Sequence, residues 1–450
     1  MLRNLMIFIA CMAATACKGD DNVAQKDSAV FNVENVAVRY VMAQSDAQFG
    51  PKASCIPQAF FDDSLAYRPD QPNAKTVAFA CAAADKAVVS LARGENGSQT
   101  VFSETVQLQD GKGSYAFTNL VPGETYRYAV TVGDTLVVAQ GTFTTTGQVR
   151  MLAIDGGFNI RDLGGWKGLD GTTVRYRLLY RGGSLGGTDM SGNRSDITAE
   201  GKAELVRLGI GAQLDLRAAT DGGKYSGEGS LHSYSAGEAP LPSLDFNNTM
   251  SDYGAYNGDQ SIVSDVAWII YELRRGRPVY FNCRQGADRT GTVAFVLEGL
   301  LGCYEYANDA GGNQMALDYE LTGFSQANRI DNWKVATSCR PASEAYANTD
   351  KLFRKLLDLE AAEPDVKLAT LQQKCYYYLN RYVNPEWKGT ALHIDSADLD
   401  WFITTALNGM TASRYTAFRP AWAAEGAPLK DVAEQCANVV RYAEDASAKK

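Results

Sequence analysis

Between Pro278 and Leu301 the chain passes without a linker through three kinds of sequence. An apolar run, Pro278-Val279-Tyr280-Phe281-Asn282, meets Cys283-Arg284-Gln285-Gly286-Ala287-Asp288-Arg289, and Thr290-Gly291 then opens a helical pattern. No other stretch constrains the fold as tightly. A short apolar run entering a tight loop and a helix predicts a buried strand in an α/β layer. In such layers ligands sit at the carboxyl ends of the strands, where Cys283 falls. The loop N–H groups converge on one point, and the helix N-terminus adds donors and partial positive charge. Arg289 supplies a planar fork matched to two phosphate oxygens. The same positive field favours the thiolate of Cys283.

Strand-Cys-x5-Arg-Thr-Gly-helix therefore predicts a phosphate-gripping loop with a sulfur nucleophile. Arg284, Gln285, Gly286, Ala287, Asp288 and Arg289 are the candidate phosphate-binding residues, with Gly286 permitting the curvature. Cys283 would attack phosphorus in line, and Thr290 could donate to the sulfur when it leaves. The leaving oxygen needs a proton. Asp288, inside the loop, is the candidate general acid, with Asp245 and Asp252 as alternatives upstream. Asn282 can hydrogen-bond the loop backbone. No cofactor is implied, and a zinc site is not expected: the chain has two histidines, His232 and His393, and no C-x-x-C pair.

The surrounding sequence alternates strand and helix. Arg175 to Arg181 reads as a strand. Thr198 to Leu208 reads as a helix, with Thr198 as N-cap and Glu200 in the first turn. Ala212 to Arg217 is a strand ending in charge, and Ser261 to Arg274 is an amphipathic helix. This predicts a central, mostly parallel sheet with flanking helices over 148–450. The helices beyond about 303 exceed a minimal core and are candidates for a lid or for ordinary packing. Tyr376-Tyr377-Tyr378 reads as helix packing.

Residues 30–147 read differently. Val36–Val41, Thr76–Ala80, Ala87–Leu91, Gly113–Phe117, Thr125–Val130, Thr135–Ala139 and Gly141–Thr145 are short strand-like runs between turns. They predict an all-β sandwich serving as spacer or docking module. Residues 1–17 read as a signal peptide: Arg3, an apolar stretch from Leu5 to Ala14, then Ala14-Thr15-Ala16-Cys17. Residues 18–29 read as a polar tether. Of the nine cysteines, six remain once Cys11, Cys17 and Cys283 are set aside, an even number. Cys55 and Cys81 could pair, or the cysteines could be buried and free. A net charge of −9 argues against a general nucleic-acid partner.

Four ordered segments carry a family resemblance. The Phe281–Gly291 segment looks like the active loop of the cysteine-dependent tyrosine phosphatases. Phe158-Asn159-Ile160-Arg161-Asp162-Leu163-Gly164-Gly165 is similar to the N-F-R-D-L-G-G opening of the bacterial tyrosine phosphatase-like family. Leu179-Tyr180-Arg181-Gly182-Gly183-Ser184-Leu185 resembles its L-Y-R-S-G-S-L. Leu208-Gly209-Ile210 with Leu214-Asp215-Leu216-Arg217 resembles its L-G-I and D-L-R. Asp318-Tyr319-Glu320-Leu321-Thr322 is similar to a later helix.

The resemblance implies a cysteine-phosphatase fold and metal-independent hydrolysis of phosphotyrosine in a protein, or of a small phosphomonoester. Inositol phosphates and phosphoinositides are the alternative substrates. It also implies an in-loop aspartate as acid, matching Asp288, with Arg161 and Asp162 as scaffold or substrate contacts. Asn282 stands where the family has His, and Ala287 where it has Lys. These departures raise the further alternative of an inactive phosphate-binding surface lipoprotein. The segment ending at Cys17 resembles a lipobox, implying export and a lipid anchor in the cell envelope, periplasmic or at the cell surface. Leu120–Tyr128 with Gly141–Thr145 resembles the end of a fibronectin type III or immunoglobulin-like domain.

Overall fold

A computed structural model describes residues 29–42, 71–94, 97, 99–133, 135–186, 197–216, 243–245, 260–305, 314–322, 368–381, 386–387, 390–391, 396–420 and 423. The chain forms two compact units. The first holds Met1–Glu34, Pro72–Arg150 and Ser447–Lys450, and the second Asn35–Gln71 and Met151–Ala446. The chain thus enters the second unit at Asn35, leaves it after Gln71 and re-enters at Met151.

The first unit is strand-rich. β1 (Ala29–Asn32), β2 (Lys75–Ala80), β3 (Lys86–Arg93), β4 (Gln99–Gln107), β5 (Lys112–Phe117), β6 (Thr125–Val132) and β7 (Leu136–Thr146) form two sheets. One runs β1-β7-β6-β3-β4 and the other is the pair β2-β5. Alternate residues of both sheets enter one core, including Val77 and Phe79 from β2, Phe117 from β5, Val89 and Leu91 from β3, and Phe143 from β7. The runs expected at Thr135–Ala139 and Gly141–Thr145 are one strand. Gly141 does not break it, because its missing side chain leaves room for the Tyr128 ring, 2.7 Å from where a Cβ would stand. β4 was not foreseen. It is an edge strand of largely exposed polar residues, so it lacks the apolar alternation that marks a half-buried strand.

The strand expected over Val36–Val41 is a helix, α1 (Val36–Met42). Asn35 outweighs the β-branched composition here: its side chain accepts a hydrogen bond from the Val38 N–H at 3.0 Å, capping the first turn. The same amide donates to the carbonyl of Gln71, so one side chain joins the two ends of the Asn35–Gln71 segment.

The second unit is built on a six-stranded sheet. In chain order its strands are β8 (Arg150–Met151), β9 (Arg161–Asp162), β11 (Leu179–Gly182), β12 (Ala212–Asp215), β13 (Ser243–Asp245) and β14 (Val279–Asn282). A separate short strand, β10 (Thr173–Val174), pairs with Leu407–Asn408. The sheet order is β13-β12-β14-β11-β9-β8; β11, β12, β13 and β14 are parallel, and β9 is antiparallel to β11. Every residue of β14 is buried, as expected of a central parallel strand covered on both faces. The strand expected over Arg175–Arg181 is shorter, because Arg177 turns the chain at φ +70° and its N–H donates to Asp162.

Thr198 caps α2 (Ala199–Arg207), its hydroxyl accepting from the Gly201 N–H. α3 (Gln260–Arg274) precedes β14, and α4 (Asp288–Leu300) follows the cysteine loop. α4 is apolar over much of its surface: Val293, Ala294, Val296, Leu297 and Leu300 have no exposed area. It is the inner helix, packed against α5 (Gln314–Leu321) and α6 (Leu371–Arg381). α1 packs on α5. Tyr376 and Tyr378 are buried on α6, and Tyr376 donates to Asp400 on α7 (Ser396–Ala406) at 2.9 Å. The tyrosine run is therefore helix packing.

Candidate active site

β14 delivers Cys283 to the carboxyl edge of the sheet, one residue beyond Asn282, which lies level with Gly182 of β11 and Asp215 of β12. The thiol is buried, at 3% exposure. Four consecutive loop carbonyls are then held from outside. Arg284 accepts from the Ser184 N–H at 3.0 Å, and Ala287 accepts from the Gly291 N–H at 2.8 Å inside α4. Between them, Gln285 accepts from Asn159 Nδ2 at 2.9 Å and Gly286 from Arg181 Nη2 at 2.9 Å.

The peptide bonds here are trans, so each carbonyl directs the following N–H the opposite way. Pinning the carbonyls of Arg284, Gln285 and Gly286 outward therefore aims the N–H groups of Gln285, Gly286 and Ala287 inward. The result is an anion nest of successive N–H groups. Gly286 makes the turn possible. It lies at φ +70°, and a Cβ there would meet the Gly182 carbonyl carbon at 2.3 Å.

α4 extends the nest. Its N-cap, Ala287, supplies no side-chain bond to the first turn, so the helix dipole is not quenched by a cap. Arg289 sits in that first turn, 9% exposed, with Nη1 donating to the Leu216 carbonyl at 3.2 Å. Thr290 is fully buried, and among the described residues its hydroxyl has no hydrogen-bond partner. Asn282 is locked by its neighbours. Its Oδ1 accepts from Gln213 Nε2 at 2.8 Å, and its Nδ2 donates to the Cys283 carbonyl at 3.2 Å and, more weakly, to Asp215 at 3.4 Å.

Arg161 and Asp162 separate in role. Asp162 accepts from the N–H groups of Gly164 and Arg177 and braces that turn. Arg161 points under the loop, with Nε on Asp318 at 2.8 Å and Nη1 on Asn159 at 2.6 Å. Asp288 opens α4, but its side chain lies outside the described residues, as does that of Asp245; Asp252, Arg217, His232, His393 and Cys17 lie outside them entirely. Asn159, Ser184, Gln213, Arg181, Asp318 and Glu298 were not foreseen as site residues. Arg181 and Asp318 stand inside resembling motifs, whereas the only signal for Glu298 is a charge within an apolar helical run.

Cys303 and Cys375 are free and buried, while Cys81 is disulfide-bonded, its partner lying outside the described residues. Among the described residues no cluster of three or more His, Cys, Asp or Glu side chains is placed to hold a metal ion. No described helix is long and apolar enough to cross a membrane.

A mostly parallel sheet whose central strand ends at a buried cysteine, with a tight loop and a helix following, is an α/β arrangement with the geometry to receive an oxyanion. The model of the tyrosine phosphatase family matches residues 152–386, more than half of the chain, and the chain belongs to that family. It is a phosphatase and acts on a phosphorylated substrate. No curated protein matches the chain.

Proposed function

We propose that this chain is a cysteine-dependent phosphomonoester hydrolase acting on phosphotyrosine. One observation carries the reading: three successive loop carbonyls are turned outward beside Cys283, beneath the uncapped end of α4. A phosphate dianion would sit among the inward N–H groups, bridged by Arg289. Cys283 Sγ attacks phosphorus, and the bond to the substrate oxygen breaks. That oxygen leaves with its electron pair and takes the proton of Asp288. Water, deprotonated by Asp288, then attacks the thiophosphate. The P–S bond breaks, and the idle Thr290 hydroxyl donates to the departing sulfur.

The loop carries two cations, Arg284 and Arg289, while Ala287 is buried and uncharged. This charge suits a monophosphate better than an inositol polyphosphate. We further read the chain as exported and lipid-anchored at Cys17; the disulfide at Cys81 supports an oxidising compartment. The strand-rich unit fits an immunoglobulin-like or fibronectin type III sandwich. Near the start of β6, the Tyr126 hydroxyl accepts from the Val121 N–H at 3.1 Å, a bond back to the chain like that of a tyrosine corner.

Turnover of para-nitrophenyl phosphate and of a phosphotyrosine peptide, against inositol hexakisphosphate, tests the assignment. Cys283→Ser is expected to lose all turnover. Asp288→Asn is expected to slow substrates with poor leaving groups by roughly 10² to 10⁴. Full activity in Cys283→Ser protein would overturn the mechanism.

A further inference from the structure

Behind the loop, on the side away from the nest, four charged-type side chains are shut off from solvent. Arg161 and Arg181 are 0% exposed, Asp318 1% and Glu298 2%. They come from β9, β11, α5 and α4. Burying such groups is expensive, and well-packed apolar residues would hold a sheet to a helix as well or better. The cluster therefore calls for an explanation beyond packing.

Its wiring supplies one. The Asp318 carboxylate receives Arg161 Nε on one oxygen and Arg181 Nη1 on the other. The Asp318 carbonyl accepts Arg161 Nη2 at 2.7 Å. Both guanidiniums are fixed in rotation by these contacts. Arg181, so fixed, directs Nη2 at the Gly286 carbonyl. Arg161, so fixed, gives Nη1 to the Asn159 side-chain carbonyl, which turns Asn159 Nδ2 onto the Gln285 carbonyl. Two paths thus run from one carboxylate to two consecutive loop carbonyls. Both arginines meet the Asp318 carboxylate; Glu298 lies beside it, its carboxyl raised well above the usual range by burial first and the Asp318 charge second.

We propose that Asp318 is the positioning residue of the phosphate loop: acting through Arg181, and through Arg161 and Asn159, it holds the Gln285 and Gly286 carbonyls outward and so fixes the N–H groups that receive phosphate. The proposal rests on the reading of the cysteine loop as the phosphate site. Asp318 itself touches neither substrate nor Cys283 in this scheme.

Tungstate, a phosphate mimic, is the probe. Its binding is measured by calorimetry in Cys283→Ser protein with and without Asp318→Asn, and kcat/KM for para-nitrophenyl phosphate is measured with Cys283 intact. Asp318→Asn is expected to raise the tungstate Kd about tenfold or more and to lower kcat/KM by a similar or larger factor. A folded Asp318→Asn protein with unchanged tungstate Kd overturns the proposal. If that protein does not fold, Asn159→Ser decides, because it removes the bond to Gln285 and leaves both Asp318 ion pairs in place. Weaker tungstate binding then supports the proposal, and an unchanged Kd overturns it. Failure of the underlying reading is visible separately, as turnover that survives Cys283→Ser or as no tungstate binding with Asp318 intact.

Discussion

Glu298 is the residue whose behaviour is least expected from its type. Burial first, and the charge of Asp318 second, push its carboxyl well above the usual range, with Arg181 and Arg161 opposing. Asp318 moves the other way: burial acts to raise it, but the two arginines outweigh burial and hold it low. The signs differ accordingly. A raised folded-state value means the folded chain keeps a proton that the unfolded chain has lost. The stability from Glu298 is therefore fully present below the unfolded value of about 4.3 and falls as pH rises from there toward the folded value. Asp318 contributes above its unfolded value, and that contribution is lost as pH falls through its lowered folded value. Glu298→Gln keeps the shape and removes the titration. Urea unfolding followed as pH rises from the unfolded value of about 4.3 is expected to lose a slope of up to about 1.4 kcal/mol per pH unit. A slope unchanged from the parent would refute the assignment.

At the same scale, Cys283, Gly286, Arg289 and Thr290 stand out in the sequence as candidates because the proposed loop chemistry demands those types at that spacing. Asn159, Arg181 and Asp318 were not legible as site residues. They are tied to the loop or to one another from behind by bonds that each span more than a hundred residues, and no local spacing encodes such a meeting. Resemblance marked their motifs without giving their work.

At the scale of elements, most strands and helices of the second unit follow from apolar pattern and caps. The Thr198 cap and the apolar run before Cys283 are the clearest cases. Two expectations failed for nameable reasons. β4 carries too little apolar alternation to be read, and the run Val36–Val41 reads as a strand because Val36, Val38 and Tyr40 alternate like one. What decides α1 is the Asn35 cap, together with packing on α5, which no local pattern reports. Asn35→Ala removes both the cap and the bond to Gln71. It is expected to cost about 1–2 kcal/mol and lower the unfolding midpoint of the second unit by a few degrees, read by calorimetry. A midpoint that does not move would show that the cap contributes nothing to stability.

For the whole molecule, the reading of residues 1–29 as signal peptide and tether makes a prediction of its own. Cys17→Ser is expected to abolish incorporation of labelled fatty acid and to move the protein from the membrane fraction to the soluble one. Fatty-acid labelling that persists in Cys17→Ser protein would remove Cys17 as the anchor.

The path of the chain carries one further consequence, for the order of events during synthesis. The second unit is not made from one continuous stretch, since Asn35–Gln71 belongs to it. α1 is polymerised roughly 280 residues before the α5 helix on which it packs, a wait of about 15–55 s at ordinary rates of elongation. During that interval Val38, which ends 1% exposed, has no α5 to cover it. The intervening strands β2 to β7 all emerge in the meantime. The phosphatase unit is therefore complete only when a segment made near the beginning is joined by one made roughly 280 residues later.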